Sequence, residues 1–150
     1  MRVPRSDNRL DQAIALAERN HRTLAVMFLD FDQFKRINDE HGHQAGDRVL
    51  IAIAEAAKNE IRENDCFARL GGEEFGLLIE GISRQRAVTI VERIRTAVTR
   101  MELGFGHITL SAGLIIGESN MAASVALARA DAVMYEAKRL GRDQLVCESA

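Results

Sequence analysis

The sequence predicts an α+β domain built on a split β-α-β-β-α-β sheet covered by helices. After a first helix, the spacing of apolar residues follows the order β, α, α, β, β, α, β, α, β. A Gly-Gly-Glu-Glu tetrapeptide separates two short apolar segments, as expected of a β-hairpin. The 150 residues are 47% hydrophobic and contain one proline, which suits one core without linkers. We therefore expect residues 1–150 to form a single domain, with helices on one face of the sheet.

The N-terminal part predicts a helix and then a central strand. The helix follows from four apolar residues at helical spacing, Leu10, Ala13, Ile14 and Ala17. The segment from Leu24 to Leu29 is apolar without alternation, which is typical of a strand covered on both faces.

Two helices are predicted to follow this strand. Asp32 is positioned to cap a short helix ending near Gly42, and Asp47 to cap a second helix. The apolar stripe of the second helix is Leu50, Ala54, Ala57 and Ile61.

The hairpin consists of Cys66–Leu70 and Phe75–Ile79, with Gly71 to Glu74 as its turn. In the split βαβ topology the hairpin lies beside the first strand. We therefore expect the end of that strand, Asp30, to approach the turn.

Three more elements complete the chain. A helix is predicted from Ala87, Ile90, Val91, Ile94 and Val98, and a strand with one buried face from Ile108, Leu110, Ala112, Leu114 and Ile116. The last helix presents Ala123, Leu127, Ala130, Met134 and Ala137, stops at Gly141, and precedes an edge strand over Gln144–Cys147.

Charge and composition exclude several classes of function. Twenty basic and 22 acidic residues give a net charge of −2 without a block of like charge, which disfavours attachment to nucleic acid or to an anionic membrane surface. The longest stretch free of Asp, Glu, Lys and Arg is 15 residues, too short to insert into a membrane. Cys66 and Cys147 lie far apart, as in a protein of the reducing cytoplasm.

Carboxylates predict a metal site. Asp30 closes an apolar strand, where a charge is costly unless it meets a cation, a helix N-terminus or water. Together with Glu73 and Glu74 it supplies the hard oxygen ligands that Mg²⁺ takes beside substrate phosphates, and Gly72 lets the backbone approach those phosphates. The alternative is a turn with solvated carboxylates.

Four segments together resemble the GGDEF family of diguanylate cyclases. They are residues 30–39 (DFDQFKRIND), 42–47 (GHQAGD), 71–75 (GGEEF) and 130–142, in the family's order and spacing. Glu73 stands where the family's name has Asp, which keeps the carboxylate. The resemblance implies a palm-like, nucleotide-cyclase fold and the condensation of two GTP into cyclic di-GMP and two pyrophosphates. It also implies a homodimer, transient or stable, and a domain of a longer protein, because only Arg2 matches the family's usual opening segment.

The resemblance assigns the catalytic metal to Asp30, Glu73 and the carbonyl of Phe31. The metal is expected to be Mg²⁺, with Mn²⁺ as the alternative. Glu74 would either bind metal or assist deprotonation of the attacking 3′-hydroxyl, and the sequence leaves the two roles open.

The resemblance also assigns the GTP site. The backbone amides from Phe31 to Lys35, including that of Phe34, would cradle phosphates at a helix start. Asn38 and Asp47 would read the guanine edge, and the cationic side chains would bind the β- and γ-phosphates: Lys35, Lys138 and Arg142. For the last two, the alternative is a favourable position at a helix C-terminus.

Arg62 and Asp65 stand where the family carries its product-inhibition site, which would bind cyclic di-GMP. Arg93 resembles the secondary arginine of that site. The alternatives are a surface ion pair for Arg62 and Asp65 and a solvated basic helix face for Arg93. A second function stays open, that of a catalytically silent domain that senses GTP or cyclic di-GMP.

Overall fold

The computed structural model describes residues 24–62, 65–117 and 123–149. The strands are β1 (Leu24–Phe31), β2 (Cys66–Gly71), β3 (Glu74–Glu80), β4 (Leu110–Gly117) and β5 (Leu145–Ser149). The helices are α1 (Phe34–His41), α2 (His43–Glu60), α3 (Arg84–Thr99) and α4 (Ala123–Arg139). Every predicted element within these ranges is present, and the predicted helix over Leu10–Ala17 lies outside them.

The strands form one mixed sheet in the order β2-β3-β1-β4-β5. The central strand β1 is antiparallel to both β3 and β4, and the edge strand β5 is parallel to β4. The predicted adjacency of the first strand and the hairpin is confirmed, because Asp30 lies directly across from Glu74.

Both faces of the sheet are covered, so the prediction of helices on one face is wrong. One face packs against α2 and α3, through residues such as Met27, Ile53 and Ile94. The opposite face packs against α4, whose buried residues Ala130 and Met134 contact a second apolar cluster.

Burial of β4 also differs from the predicted alternation. All its residues except Ile116 are buried, because β4 lies between β1 and β5 and under α4. Ser111 and Gly113 lie at positions that an alternating pattern assigns to a polar, solvated face. Here they are small residues that leave room for close packing.

The two predicted aspartate caps are wrong. The residue before α1 is Gln33, and its side chain makes no capping hydrogen bond. The helix α2 begins at His43, four residues before Asp47, because the single residue Gly42, with φ of 88°, separates it from α1. Asp32 instead accepts hydrogen bonds from residues of β4 and of the segment before it.

Among the described helices, none is both long and apolar enough to cross a membrane.

Candidate functional site

Three acidic residues lie where β1 ends and the β2–β3 hairpin turns. Asp30 is 1% exposed and lies across from Glu74 in the β1–β3 pairing. One residue further on, the amide of Phe31 donates a hydrogen bond to the carbonyl of Glu73 over 3.3 Å. The hairpin therefore holds Glu73 and Glu74 against the end of the central strand.

Lys138 supplies the partner that the buried Asp30 carboxylate was expected to need. Its Nζ atom donates to Asp30 Oδ2 over 2.5 Å from α4, and the lysine side chain is itself only 21% exposed. The other oxygen, Asp30 Oδ1, has no hydrogen-bond partner among the described residues. A buried anionic oxygen without a donor is a ready ligand for a cation.

The donor set fits a divalent metal that also binds substrate. No three His, Cys, Asp or Glu side chains in the described ranges gather closely enough to hold a metal ion unaided. Asp30, Glu73 and a backbone carbonyl would leave the remaining positions to phosphate and water, which is the coordination that Mg²⁺ prefers.

Burial and like charges raise the pKa of two of these carboxyl groups. Loss of solvent is the main cause that raises the pKa of Asp30 to about 6, with Glu73 and Glu74 adding to it, while Lys138 opposes the shift. Loss of solvent also raises the pKa of Glu74, followed by the negative charge of Asp131 on α4. Asp131 is thus part of this electrostatic site, although the sequence interpretation gave it no role.

Gly72 takes a left-handed conformation in the hairpin turn, with φ of 48°. Arg69 holds this turn by donating from Nε to the carbonyl of Gly72 over 2.8 Å. A Cβ atom at Gly71 or Gly72 would have no heavy atom within 4 Å, so the turn faces open space. The sequence interpretation did not identify Arg69, because its bond depends on the folded turn.

Asn38 and Asp47 lie on neighbouring helices that the one-residue connection at Gly42 folds together. Asn38 Oδ1 is buried and has no hydrogen-bond partner among the described residues. Gly46 leaves the space for it, since a Cβ atom there would lie 1.9 Å from Asn38 Oδ1. The exposed Asp47 follows directly, so α1 and α2 bring the two predicted guanine-reading residues to one place.

The remaining predicted phosphate-binding residues surround the end of β1. Phe34 and the exposed Lys35 form the first turn of α1, which contains no acidic residue. Arg142 lies in the turn between α4 and β5, and the amide of the next residue, Asp143, donates to Asp32 over 3.1 Å. The fold thus brings this turn to the same end of β1 as Asp30.

A separate cleft of about 280 Å³ contains the predicted inhibitory residues Arg62, Asp65 and Arg93. Asp65 Oδ2 accepts from the amide of Arg62 over 2.8 Å, and the Arg62 guanidinium lies 3.8 Å from the same oxygen. Arg93 approaches Glu60 at 3.8 Å. Arg86 also lines the cleft.

The family model described as "Diguanylate cyclase, GGDEF domain" matches residues 5–144 of the chain. Diguanylate cyclase DgcP of Pseudomonas aeruginosa is 42% identical over 141 residues, which cover 91% of this chain and 21% of DgcP. The chain spans only 21% to 38% of the length of such curated relatives.

Solved structures agree with this match. The active GGEEF domain of a diguanylate cyclase from Vibrio cholerae superposes with a TM-score of 0.86 at 30% identity, covering 98% of this chain and 97% of that one. The GGDEF domain of DgcB from Caulobacter crescentus, solved with c-di-GMP, gives a TM-score of 0.84 at 32% identity, covering 94% and 86%. The chain therefore belongs to the GGDEF family of diguanylate cyclases and has that family's palm-like, nucleotide-cyclase fold.

Proposed function

We propose that this domain is a diguanylate cyclase that condenses two GTP molecules into cyclic di-GMP with release of two pyrophosphates. The observation that carries the proposal is the buried Asp30, which lies directly across from Glu74. One of its oxygens is bound to Lys138, and the other has no hydrogen-bond partner among the residues that the structure describes. Relatives named as diguanylate cyclases share the fold. The Vibrio cholerae domain is described as a GGEEF domain, and the same five residues, GGEEF, stand at positions 71–75 of this chain.

In this proposal Asp30, Glu73 and the carbonyl of Phe31 hold Mg²⁺, or Mn²⁺ in its place. The metal, when bound, neutralises the triphosphate and lowers the cost of forming the attacking alkoxide. Glu74 either completes the metal site or takes the proton of the 3′-hydroxyl. Lys138 neutralises Asp30 in the substrate-free protein and supplies positive charge for the β- and γ-phosphates.

The substrate is held by its two ends. Of the backbone amides from Phe31 to Lys35, those of Phe31 and Asp32 already donate to the carbonyls of Glu73 and Thr109. The phosphates are therefore bound by the amides of residues 33 to 35, including that of Phe34, together with the side chains of Lys35 and Arg142. The open turn at Gly72 admits the same phosphates. At the other end, Asn38 and Asp47 recognise guanine, whose ring N–H and exocyclic amine form a donor pair that adenine lacks.

Two subunits are needed for turnover. One site binds one GTP, whereas the product joins two nucleotides through symmetric bonds. Each 3′-hydroxyl must therefore attack the α-phosphorus held by the other subunit, which requires a C₂ homodimer. The proposal places this domain in the cytoplasm, where reducing conditions suit two cysteines that lie far apart in the sequence.

We expect Gly46→Ala to impair guanine recognition. The added methyl group would collide with Asn38 Oδ1 and force that side chain out of its place. The KM for GTP should rise about tenfold, the effect of losing one hydrogen bond of about 1.4 kcal/mol, and preference over ATP should fall. The melting temperature should not fall below that of the parent, because alanine is a better helix former than glycine.

The double variant with Asn38→Ala provides the control for this effect. If Gly46 acts through Asn38, adding Gly46→Ala to Asn38→Ala should cause no further rise in the KM for GTP. A further tenfold rise would contradict this relation.

We expect Arg62→Ala to relieve inhibition by the product without changing the initial rate of synthesis. Arg62 lines the cleft with Asp65 and Arg93, away from the carboxylates of the active site. Arginine bonds guanine O6 and N7, so its loss should weaken cyclic di-GMP binding at least about tenfold. The measurement is the initial rate as a function of added cyclic di-GMP, with Arg84→Ala, an exposed arginine outside that lining, as control. Undiminished inhibition of Arg62→Ala would contradict the assignment of the cleft.

The proposed activity is tested by incubating the purified chain at high concentration with GTP and Mg²⁺. Cyclic di-GMP should appear on chromatography together with pyrophosphate, and its rate should rise more steeply than linearly with protein concentration. The same chain fused to a dimeric coiled coil should show a higher specific activity at low concentration. A folded protein that binds GTP but forms no product even when dimerised would contradict the proposal and favour the silent sensing domain.

A further inference from the structure

The turn between α4 and β5 holds two consecutive non-glycine residues in the left-handed region. Arg142 has φ of 65° and Asp143 has φ of 48°. Aspartate tolerates this conformation, whereas for an arginine it costs about 1 kcal/mol or more. Such residues persist only where their surroundings hold them, and they cluster at functional sites.

Asp32 holds this turn to the centre of the sheet. Its Oδ2 atom accepts from the backbone amide of Asp143 over 3.1 Å and from the hydroxyl of Thr109 over 2.6 Å. Its Oδ1 atom accepts from the hydroxyl of Ser111 over 2.5 Å. Both hydroxyl residues are buried, so the carboxylate joins the end of β1, the start of β4 and the turn.

Arg95 holds the same turn from the side of α3. Its Nη2 atom donates to Asp143 Oδ1 over 2.9 Å, and its Nε atom donates to the carbonyl of Leu110 over 3.1 Å. Glu92 accepts two further hydrogen bonds from Nη1, and the arginine side chain is only 13% exposed. A guanidinium with partners on three sides is a rigid support.

We propose that Asp32, Asp143 and Arg95 form a clamp that positions Arg142 for the triphosphate of the substrate. This inference rests on the proposed function and adds three positioning residues that need not touch GTP. Asp32 stands two residues after Asp30, so the clamp sets the place of the Arg142 backbone relative to the carboxylates. Fixing that backbone reduces the ordering cost when the flexible arginine side chain binds phosphate.

The clamp is tested with Asp143→Gly. Glycine adopts the left-handed conformation freely, so the substitution removes only the hydrogen bond from Arg95 to the Asp143 side chain. The ligand is a GTP analogue with a methylene bridge between the α- and β-phosphorus atoms, titrated with Mg²⁺ by calorimetry. We expect its affinity to fall about tenfold, since one positioned contact is lost. GMP, which lacks the β- and γ-phosphates, should bind as it does to the parent.

Two variants accompany this measurement. Asp32→Asn keeps the size of the side chain but replaces one acceptor oxygen by a donor. It should therefore also weaken binding of the analogue and leave the affinity for GMP unchanged. Glu136→Gln is the control, because it removes a carboxylate that also pairs with an arginine, Arg139, but lies outside the clamp. It should change neither the affinity for the analogue nor the affinity for GMP. Thermal unfolding establishes that each variant is folded.

The decisive comparison uses Arg142→Ala as background. A clamp that acts through Arg142 should have no further effect on analogue affinity once Arg142 is absent. An equal loss of affinity for GMP and the analogue, or a full tenfold loss in the Arg142→Ala background, would overturn the inference. If the parent binds the analogue and Asp143→Gly binds it equally well, the clamp fails while the proposed function stands. A folded parent that does not bind the analogue would overturn both.

Discussion

Replacing Glu74 by glutamine is expected to reduce cyclic di-GMP synthesis by about 10³-fold while leaving the fold intact. Glutamine keeps the size of the side chain and removes its negative charge. Both roles considered for Glu74, metal binding and removal of the 3′-hydroxyl proton, depend on that charge. Burial raises the pKa of Glu74, which lies across from Asp30, and the negative charges of Asp131 and Glu73 raise it further. The substitution therefore also removes local repulsion and should not lower the melting temperature.

The strand β3 offers a matched control for this substitution, because a glutamate stands at each of its ends. Glu80 pairs with Leu24 at the far end of β1, six residues of strand away from the carboxylate site. Glu80→Gln should keep its initial rate of pyrophosphate release within about twofold of the parent, as a surface change does. A residual rate above a tenth of the parent rate in Glu74→Gln, or an equal loss in Glu80→Gln, would contradict the assignment of the acidic site.

Local patterns were sufficient to predict the elements and the meeting of Asp30 with the hairpin. The unbroken apolar run before Asp30 identified the central strand, and the Gly-Gly turn identified the hairpin. Their adjacency followed from the topology, because a split βαβ sheet leaves few places for a hairpin. The pairing of Asp30 with Glu74 is the direct result.

The partners of the buried Asp30 and the half-buried Asp32 could not be predicted in this way. Asp32 has the sequence position of a helix cap, yet its carboxylate bonds Thr109 and Ser111, which lie 77 and 79 residues further along the chain. Asp30 likewise meets Lys138 across 108 residues. Capping is a short-range rule, whereas these contacts depend on how β4 and α4 pack, and the energy of satisfying a buried carboxylate exceeds that of a cap.

Replacing Gly113 by alanine is expected to lower the free energy of unfolding by about 3 kcal/mol, the upper range for overpacking. A Cβ atom at Gly113 would lie 2.3 Å from the amide nitrogen of Met134 and 2.8 Å from the carbonyl oxygen of Ala130. Both are backbone atoms of α4, which cannot rotate aside as a side chain could. The helix must therefore move away from β4, and it carries Lys138 with it. Urea unfolding gives the stability change, and weaker binding of the GTP analogue should accompany it.

Gly71→Ala makes the same chemical change at the end of β2 and separates packing from the general effect of losing a glycine. A Cβ atom there meets no heavy atom within 4 Å, and Gly71 does not have a left-handed backbone. Its stability should stay within about 0.5 kcal/mol of the parent, because alanine restricts the unfolded chain and creates no collision. If Gly113→Ala were as stable as Gly71→Ala, α4 could not lie as close to β4 as this fold requires. The ion pair between Lys138 and Asp30 would then lose its structural basis, since it depends on that close approach.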